Sequence, residues 1–444
     1  MRALYVFICI SLCFLELNCF AQSNSLSLKD CIIHSRTNTT TSNNQVSSDE
    51  KRLELVSVQQ SFIPSLSLSN QHNLSTGRVL DPTTYEFVTN RTVYDMSASV
   101  GGSMTLFAGG ERIQQVRMAK LNLQSALLET ERTRNDLALN VIAMFLNLVL
   151  DKEAIALCEH KLELLRAQES LIQKKLEFES ATPGDLLNIQ ADISATQVEL
   201  TTARGNFDLD RITMCEILEI DDWQEFDITT EDQDFEQVEP RLWDVADLVS
   251  AAYLLPQIRQ KELSIEMAAR DIKIAASAFW PTVRLNAGYG STFSNARLRY
   301  DGEDYLFRDQ FRDNMSSYVT LSLSIPILSA FTVANTVRQR QLAHTRAGYE
   351  LTQAKLALDK EIKQAVVNAN SSYEKYMLLE TDVEKCREAL RQTELKYNAG
   401  ASTYYDYQLA VGHLFQAEAQ RLQMKYEYIF RTRILDFYAG KSLY

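Results

Sequence analysis

Two stretches constrain what this chain can fold into more than anything else in it. Residues 111–178 contain neither proline nor glycine, and residues 332–398 contain no proline and a single glycine, Gly348. Breakers are scarce throughout, with 14 glycines and 7 prolines in 444 residues. Nothing in either stretch interrupts a helix. At 1.5 Å per residue each would span roughly 100 Å, whereas an ordinary globular helix has about 12 residues. The two stretches also align with each other, Val116 with Val337, Leu121 with Leu342, Leu137 with Leu358 and Val141 with Ile362. Many seam positions hold small or polar residues (Ala119, Ala126, Thr130, Thr133) instead of the bulky leucines of a dimeric coiled coil. That suits helices touching neighbours on both sides, as staves do. A long two-helix rod fits the same pattern.

The alignment extends beyond the helices, so the chain reads as a tandem repeat. Each copy opens with a helical stretch closed by a proline, Pro64 or Pro281, which cannot continue a helix and biases its predecessor to extended geometry. A strand follows (residues 65–74, residues 282–292), then a polar loop carrying tyrosine (residues 75–93, residues 293–316), then a second strand. In the second strands apolar residues alternate with small polar ones. Met96, Ala98, Val100, Gly102, Met104 and Leu106 interleave with serines, Gly101 and Thr105; Val319, Leu321, Leu323 and Ile325 interleave with Tyr318, Thr320, Ser322 and Ser324. This period of two gives one apolar and one polar face. A tilted strand of about ten residues crosses an outer membrane, and a water-filled barrel needs this alternation. A soluble sandwich strand has it too. Each long helix is followed by a short turn (residues 179–184, residues 399–405) and a returning helix starting near Asp185 or Asp406, the first turn reading as two residues shorter. The predicted organisation is a signal peptide at 1–21, a first repeat at 22–218, an inter-repeat segment at 219–246 and a second repeat with a tail at 247–444.

Residues 1–21 combine Arg2, an apolar run, and Cys19-Phe20-Ala21 as a cleavage site, so export through an inner membrane is expected. Cys31, Cys158, Cys215 and Cys386 remain after cleavage; with no CxxC among them they read as single buried thiols. No later segment is long and apolar enough for a transmembrane helix, so any membrane crossing must use strands. Residues 219–241 hold ten acidic residues and one basic one, much of the net charge of -13. They read as a solvated linker, or as a segment wrapping the helices. Such a balance excludes a nucleic-acid binder, which needs basic residues against phosphate. Phosphate-binding, zinc-binding and nucleophile-elbow motifs are absent and the five histidines are scattered. No enzyme, cofactor or metal site is therefore expected.

The repeat resembles the TolC family of outer-membrane efflux proteins over nearly the whole mature chain. The resemblance rests on the run Phe-Ile-Pro-Ser-Leu-Ser-Leu-Ser at 62–69, the strand exit Leu-Phe-Ala-Gly-Gly at 106–110 and the tip sequence Tyr397-Asn398-Ala399-Gly400. It implies a mixed α/β membrane protein: a homotrimer in which four strands per chain form one roughly twelve-stranded β-barrel, continued by a long α-helical barrel through the periplasm. Four strands cannot close a pore alone, and open sheet edges are not tolerated in lipid. The resemblance also implies a site. Tyr397 and Gly400 match the family's tip turn, with Gly184 in the first repeat. Asp406 matches its aperture carboxylate, flanked by Tyr404, Tyr405 and Leu409, with Asp185 as the first-repeat equivalent. One family member has a second carboxylate where this chain has Leu409 and a locking arginine where it has Ser402, so a single acidic ring without a strong metal aperture is expected. Asp185 and Asp406 also suit helix N-caps. Pro64, Pro281, Trp280 and Phe107, with Phe279 and Phe331, fall at the barrel-to-helix joint, where aromatic residues anchor at a lipid boundary or simply pack the joint. Residues 37–44, polar and poor in helix formers, predict a break in the first helix. The implied function is a passive exit duct in the outer membrane of a Gram-negative bacterium, fed by an inner-membrane transporter through a periplasmic adaptor. The alternative is a periplasmic structural rod.

Overall fold

The computed structural model describes residues 25–80, 85, 87–229, 238–299 and 302–441. The expected signal peptide lies outside the described residues. The chain divides into two compact units, one formed by Gln45–Glu129 and Gln257–Gln353, the other by the remaining segments around Thr130–Pro256 and Ala354–Tyr444.

The first unit is organised by a four-stranded antiparallel sheet. Its strands are β2 (Ser65–Leu80), β3 (Phe87–Ala108), β5 (Thr282–Ser294) and β6 (Ser316–Ser324), in the order β2-β3-β5-β6. Register sorts most side chains of the central rows by face, with Tyr318 opposite Gly288 and Ser317 opposite Tyr289 as exceptions. Ser67 lies opposite Gly101, which lies opposite Gly288; Ser65 opposite Ser103, then Asn286, then Thr320. One residue along, Leu68 lies opposite Val100, and Met104 opposite Leu285, which faces Leu321. Since neighbours along a strand point to opposite faces, one face is mainly apolar and the other is built mainly from serine, glycine, threonine and asparagine, with Arg284 and Tyr318 among them. Leu66, Leu68, Val319, Leu321 and Leu323 are all exposed.

The first hairpin exceeds its sequence pattern. Residues 75–80 and 87–92 read as loop but are paired strand, with Thr76 opposite Thr92 and Leu80 opposite Phe87. Backbone pairing, once started, continues through polar residues that carry no alternating signal. The second hairpin is shorter in strand and instead carries a helix, α7 (Phe307–Asp313). Buried Gln310 fastens it: its Oε1 accepts from Ser294 N at 2.6 Å and its Nε2 donates to Ser294 O at 2.9 Å.

The second unit is helical. Its elements include α1 (Leu28–Ser35), α4 (Pro183–Leu218), α5 (Val245–Ala252) and α9 (Tyr404–Tyr438), with parts of α3 (Glu111–Glu177), α8 (Thr332–Asn398), α2 (Thr39–Gln60) and α6 (Pro256–Ser277). One core gathers Cys31, Ile32, Ile142, Phe145, Leu148, Met214, Cys215, Leu218, Phe226 and Ile228. Another gathers Leu162, Ile172, Ile189, Val383, Tyr404, Tyr407 and Phe415.

Three expectations need revision here. The predicted break falls at Arg36–Asn38, and Thr39 to Asn44 are helical within α2. The break docks the chain onto the end of α4, where Asn38 Nδ2 donates to Ile217 O (2.7 Å) and Thr39 N donates to Glu219 (2.8 Å). The acidic segment is not wholly solvated. It buries Phe226 and Ile228 and forms β4 (Asp227–Ile228), which pairs in parallel with β1 (Ser25–Leu26). Apolar residues spaced among the acids supply that grip while Asp221, Asp222, Glu225 and Asp227 stay outside. The two tip turns are equal in length, because α4 begins at Pro183 after α3 ends at Glu177, and α9 begins at Tyr404 after α8 ends at Asn398.

Candidate functional site

Each helical hairpin turns on one residue in the left-handed region, Glu179 (φ 57°) in the first and Gly400 (φ 73°) in the second. The backbone closes behind it identically. Ser180 N donates to Lys175 O at 2.8 Å and Ala401 N to Lys396 O at 2.8 Å, the six-to-one bond that ends helices. Gly184, expected within the turn, sits instead just after Pro183 in the first turn of α4.

Both returning helices start with the same device. Thr182 and Thr403 are N-caps whose hydroxyls accept from the backbone of Asp185 and Asp406, and the carboxylates reach back to the cap residues. These are capping boxes, which satisfy otherwise orphaned N–H groups and place negative charge at the positive helix end. At Asp406 one carboxylate oxygen accepts from Thr403 Oγ1 (2.7 Å), Thr403 N (3.0 Å) and Ser402 Oγ (3.0 Å). Donation from the Thr403 hydroxyl, then its backbone, then Ser402 holds the Asp406 carboxyl below the usual carboxylate range. Ser402 thus touches the carboxylate directly.

The flanking residues separate sharply by exposure. Tyr404 is 4% exposed and belongs to the core, whereas Tyr405 is 68% and Leu409 48% exposed. Tyr404 packs edge-on against Tyr397 and tilted against Tyr407, which itself stacks on Tyr397, and the ammonium of Lys175 lies 4.2 Å from the centre of the Tyr397 ring. Tyr404 OH donates to Asp192 at 3.1 Å, and Gln408 Nε2 donates to the other Asp192 oxygen at 2.6 Å. Burial, then the charge and bond of Asp192, push the Tyr404 hydroxyl far up; burial pushes Tyr407 up to about 12. Asp192 and Lys175 of the first hairpin and Gln408 of the second therefore join the two hairpins within one chain. None was singled out from sequence. The available signal was tyrosine density around 397–407 and the one-turn spacing of Tyr404 and Gln408.

In the sheet-bearing unit Pro64 and Pro281 stand just ahead of β2 and β5, as expected. Gly109, with φ 58°, packs so tightly that a β-carbon there would stand 2.6 Å from Ser277 O and 2.8 Å from Trp280 Cβ. Arg112 donates to Thr105 O at 3.2 Å and lies over Phe62. Phe107, Phe279, Trp280 and Phe331 are all exposed. Among the described residues no group of three His, Cys, Asp or Glu is arranged to hold a metal ion, and no helix is long and apolar enough to cross a membrane.

A mostly helical chain carrying a four-stranded antiparallel sheet with one apolar and one polar face defines a mixed α/β membrane protein. The chain belongs to the outer membrane efflux protein family, whose sequence profile matches residues 43–218 and 249–441. That family consists of channel proteins and not enzymes, and the protein resides in the outer membrane of a Gram-negative cell, extending into the periplasm. Among relatives, the outer membrane protein TolC of Vibrio cholerae is 23% identical over 189 residues, 40% of this chain and 41% of that protein. The alkaline protease secretion protein AprF of Pseudomonas aeruginosa is 23% identical over 323 residues, 71% of this chain and 64% of AprF. The matches thus span less than two thirds of either relative's length. In fold the chain resembles the solved structures of CusC (TM-score 0.79, 16% identity, 94% of this chain and 92% of that one) and of VceC from Vibrio cholerae (0.77, 14%, 94% and 97%).

Proposed function

We propose that this protein is the outer-membrane exit duct of a tripartite efflux or type I secretion system, passing substrates delivered by an inner-membrane transporter through a periplasmic adaptor. The observation that carries the reading is the two-faced sheet with unpaired edges at β2 and β6. An edge in lipid leaves backbone groups without partners. Three copies placed edge to edge satisfy them and make a twelve-stranded barrel, its apolar face toward lipid and its serine-rich face toward water. Trp280, Phe107, Phe279 and Phe331 then anchor the joint at the lipid boundary. A periplasmic rod gives no reason for so much exposed leucine on one sheet face.

In such a trimer the helical hairpins of both repeats continue the passage, with residues 219–246 between them. Asp406 forms a ring of three carboxylates at the periplasmic aperture, each held below the usual carboxylate range by Thr403 and Ser402. Leu409 adds an apolar ring beside it, and Tyr405 projects from the same turn. A ring of like negative charges favours cations and repels anions. Asp185 serves mainly as a cap, and no metal is needed at the aperture. The duct itself consumes no energy, and selection among cargoes rests with the transporter.

The test is single-channel conductance of the purified protein in planar bilayers, wild type against Asp406→Asn, which keeps an oxygen to cap the helix. A cation-selective conductance that loses its selectivity in the variant is expected. Unchanged selectivity removes Asp406 from the constriction, and a folded protein without conductance overturns the duct.

A further inference from the structure

We propose that Cys31 and Cys215 form a disulfide in the exported protein, tying the amino-terminal helix α1 to the end of α4. The proposal rests on the outer-membrane location and not on duct activity. Both residues are buried in the same hydrophobic core, between Leu28 and Ile32 on α1 and between Met214 and Leu218 on α4. The two helices are docked by bonds beside that pair, Asn38 to Ile217 O and Thr39 N to Glu219. Within this core the thiols are near enough for Cys215 to contribute to the upward displacement of the Cys31 thiol, to about 12, after burial and Asp30. Both thiols are unbonded in the structure. Cys158 and Cys386 are only half-buried and pack against the other core.

Compartment decides what such a pair becomes. Thiols sharing one core stay reduced in a cytosol and can be oxidised in a periplasm. The oxidant is a periplasmic thiol–disulfide oxidoreductase in its disulfide form. The thiolate of Cys215 attacks that disulfide, making a mixed disulfide and releasing one carrier thiolate. Cys31 then attacks Cys215 Sγ and expels the second. Two thiol protons are given up, two electrons pass to the carrier, which leaves as a dithiol, and one S–S bond forms. Burial makes both thiolates scarce in the folded chain, so the exchange occurs before the core closes. Afterwards the same burial shields the bond from reductants. The closed loop contains the whole of the first strand pair, all of α3 and α4 as far as Cys215.

The experiment uses the full chain exported in cells with an active periplasmic thiol oxidase. Thiols are trapped with acid on lysis, alkylated in denaturant, and the protein is digested with trypsin and analysed by mass spectrometry without reduction. Residues 30–36 joined to residues 212–241, separating on reduction, is the expected result. Alkylated Cys31 and Cys215 peptides with no linked species overturn it, with labelled Cys158 or Cys386 showing that trapping worked. Melting of Cys31→Ala, Cys215→Ala and the double variant gives a second reading. With a disulfide each single variant loses as much as the double; losses that simply add overturn the proposal.

Discussion

The two repeats keep one register and differ in which residues occupy it. Both ends of α8 lie 221 residues beyond those of α3 (Glu111 to Thr332, Glu177 to Asn398). Left-handed backbone recurs at matching places: Gly109 and Gly110 correspond to Ala330 and Phe331, and Glu179 to Gly400. Glycine thus stands at the strand-to-helix exit only in the first repeat, and at the tip only in the second. The backbone path is what the copies share, and glycine has two separable reasons to be there. At Gly109 space forbids a side chain; around Gly400 nothing lies within 4 Å of where a β-carbon would be, so only the dihedral angle asks for glycine.

The sharpest break of this symmetry is Gly109→Val. A left-handed branched residue costs about 1–2 kcal/mol, and crowding against Ser277 and Trp280 adds roughly 1–3 kcal/mol. Urea unfolding in detergent should show a loss of about 3 kcal/mol. A loss no larger than that of Ala substitution at Gly400 would show that Ser277 and Trp280 yield freely and that the two glycines are equivalent.

Register also pairs Asp151 with Ser372. Ser372 is buried and neutral, whereas Asp151 has a buried carboxylate oxygen without a hydrogen-bond partner. Burial, then the nearby charge of Asp210, raises the Asp151 carboxyl to about 6. A raised carboxyl favours its protonated form in the fold, so the stability it contributes is complete below the unfolded pKa of about 4 and is lost as pH rises through about 6. Asp151→Ser, which copies the second repeat, should therefore stabilise at pH 8 by on the order of 1 kcal/mol after solvent screening, and bring no gain at pH 4. A gain independent of pH would assign the effect to packing instead of charge.

The same comparison explains what was legible in the sequence. Helix length, the repeat and the two sheet faces were readable because each is periodic, and period survives without knowledge of neighbours. Asp185 and Asp406 read as caps for the same local reason, although the cap residues themselves are Thr182 and Thr403, with each aspartate three positions on closing the box. What escaped depended on contacts between distant segments. Asp192 is an unremarked helix residue until Tyr404 and Gln408, more than two hundred positions away, turn toward it. Residues 75–80 look like loop until residues 87–92 pair with them. Cys31 and Cys215 read as unrelated thiols until α1 docks on α4. Tyr404 and Tyr405 are neighbours of one residue type, and only packing shows that one is core and the other surface.

The smallest effect tests the dihedral reason alone, at the tips. Glu179 adopts the left-handed region without glycine's conformational freedom, so Glu179→Gly removes about 1–2 kcal/mol of backbone strain. Glycine also loses more chain entropy on folding, by about 0.5–1 kcal/mol. The net gain should be about 0.5 kcal/mol, and Gly400→Ala should lose a similar amount. Thermal unfolding of both variants and their combination decides it. Opposite signs that cancel in the double variant mean that the two turns are interchangeable in backbone energy and differ only in the side chains they present. A loss at Glu179 instead means that its carboxylate makes a contact in the assembled protein that outweighs the strain, and the equivalence of the two tips then ends at the backbone.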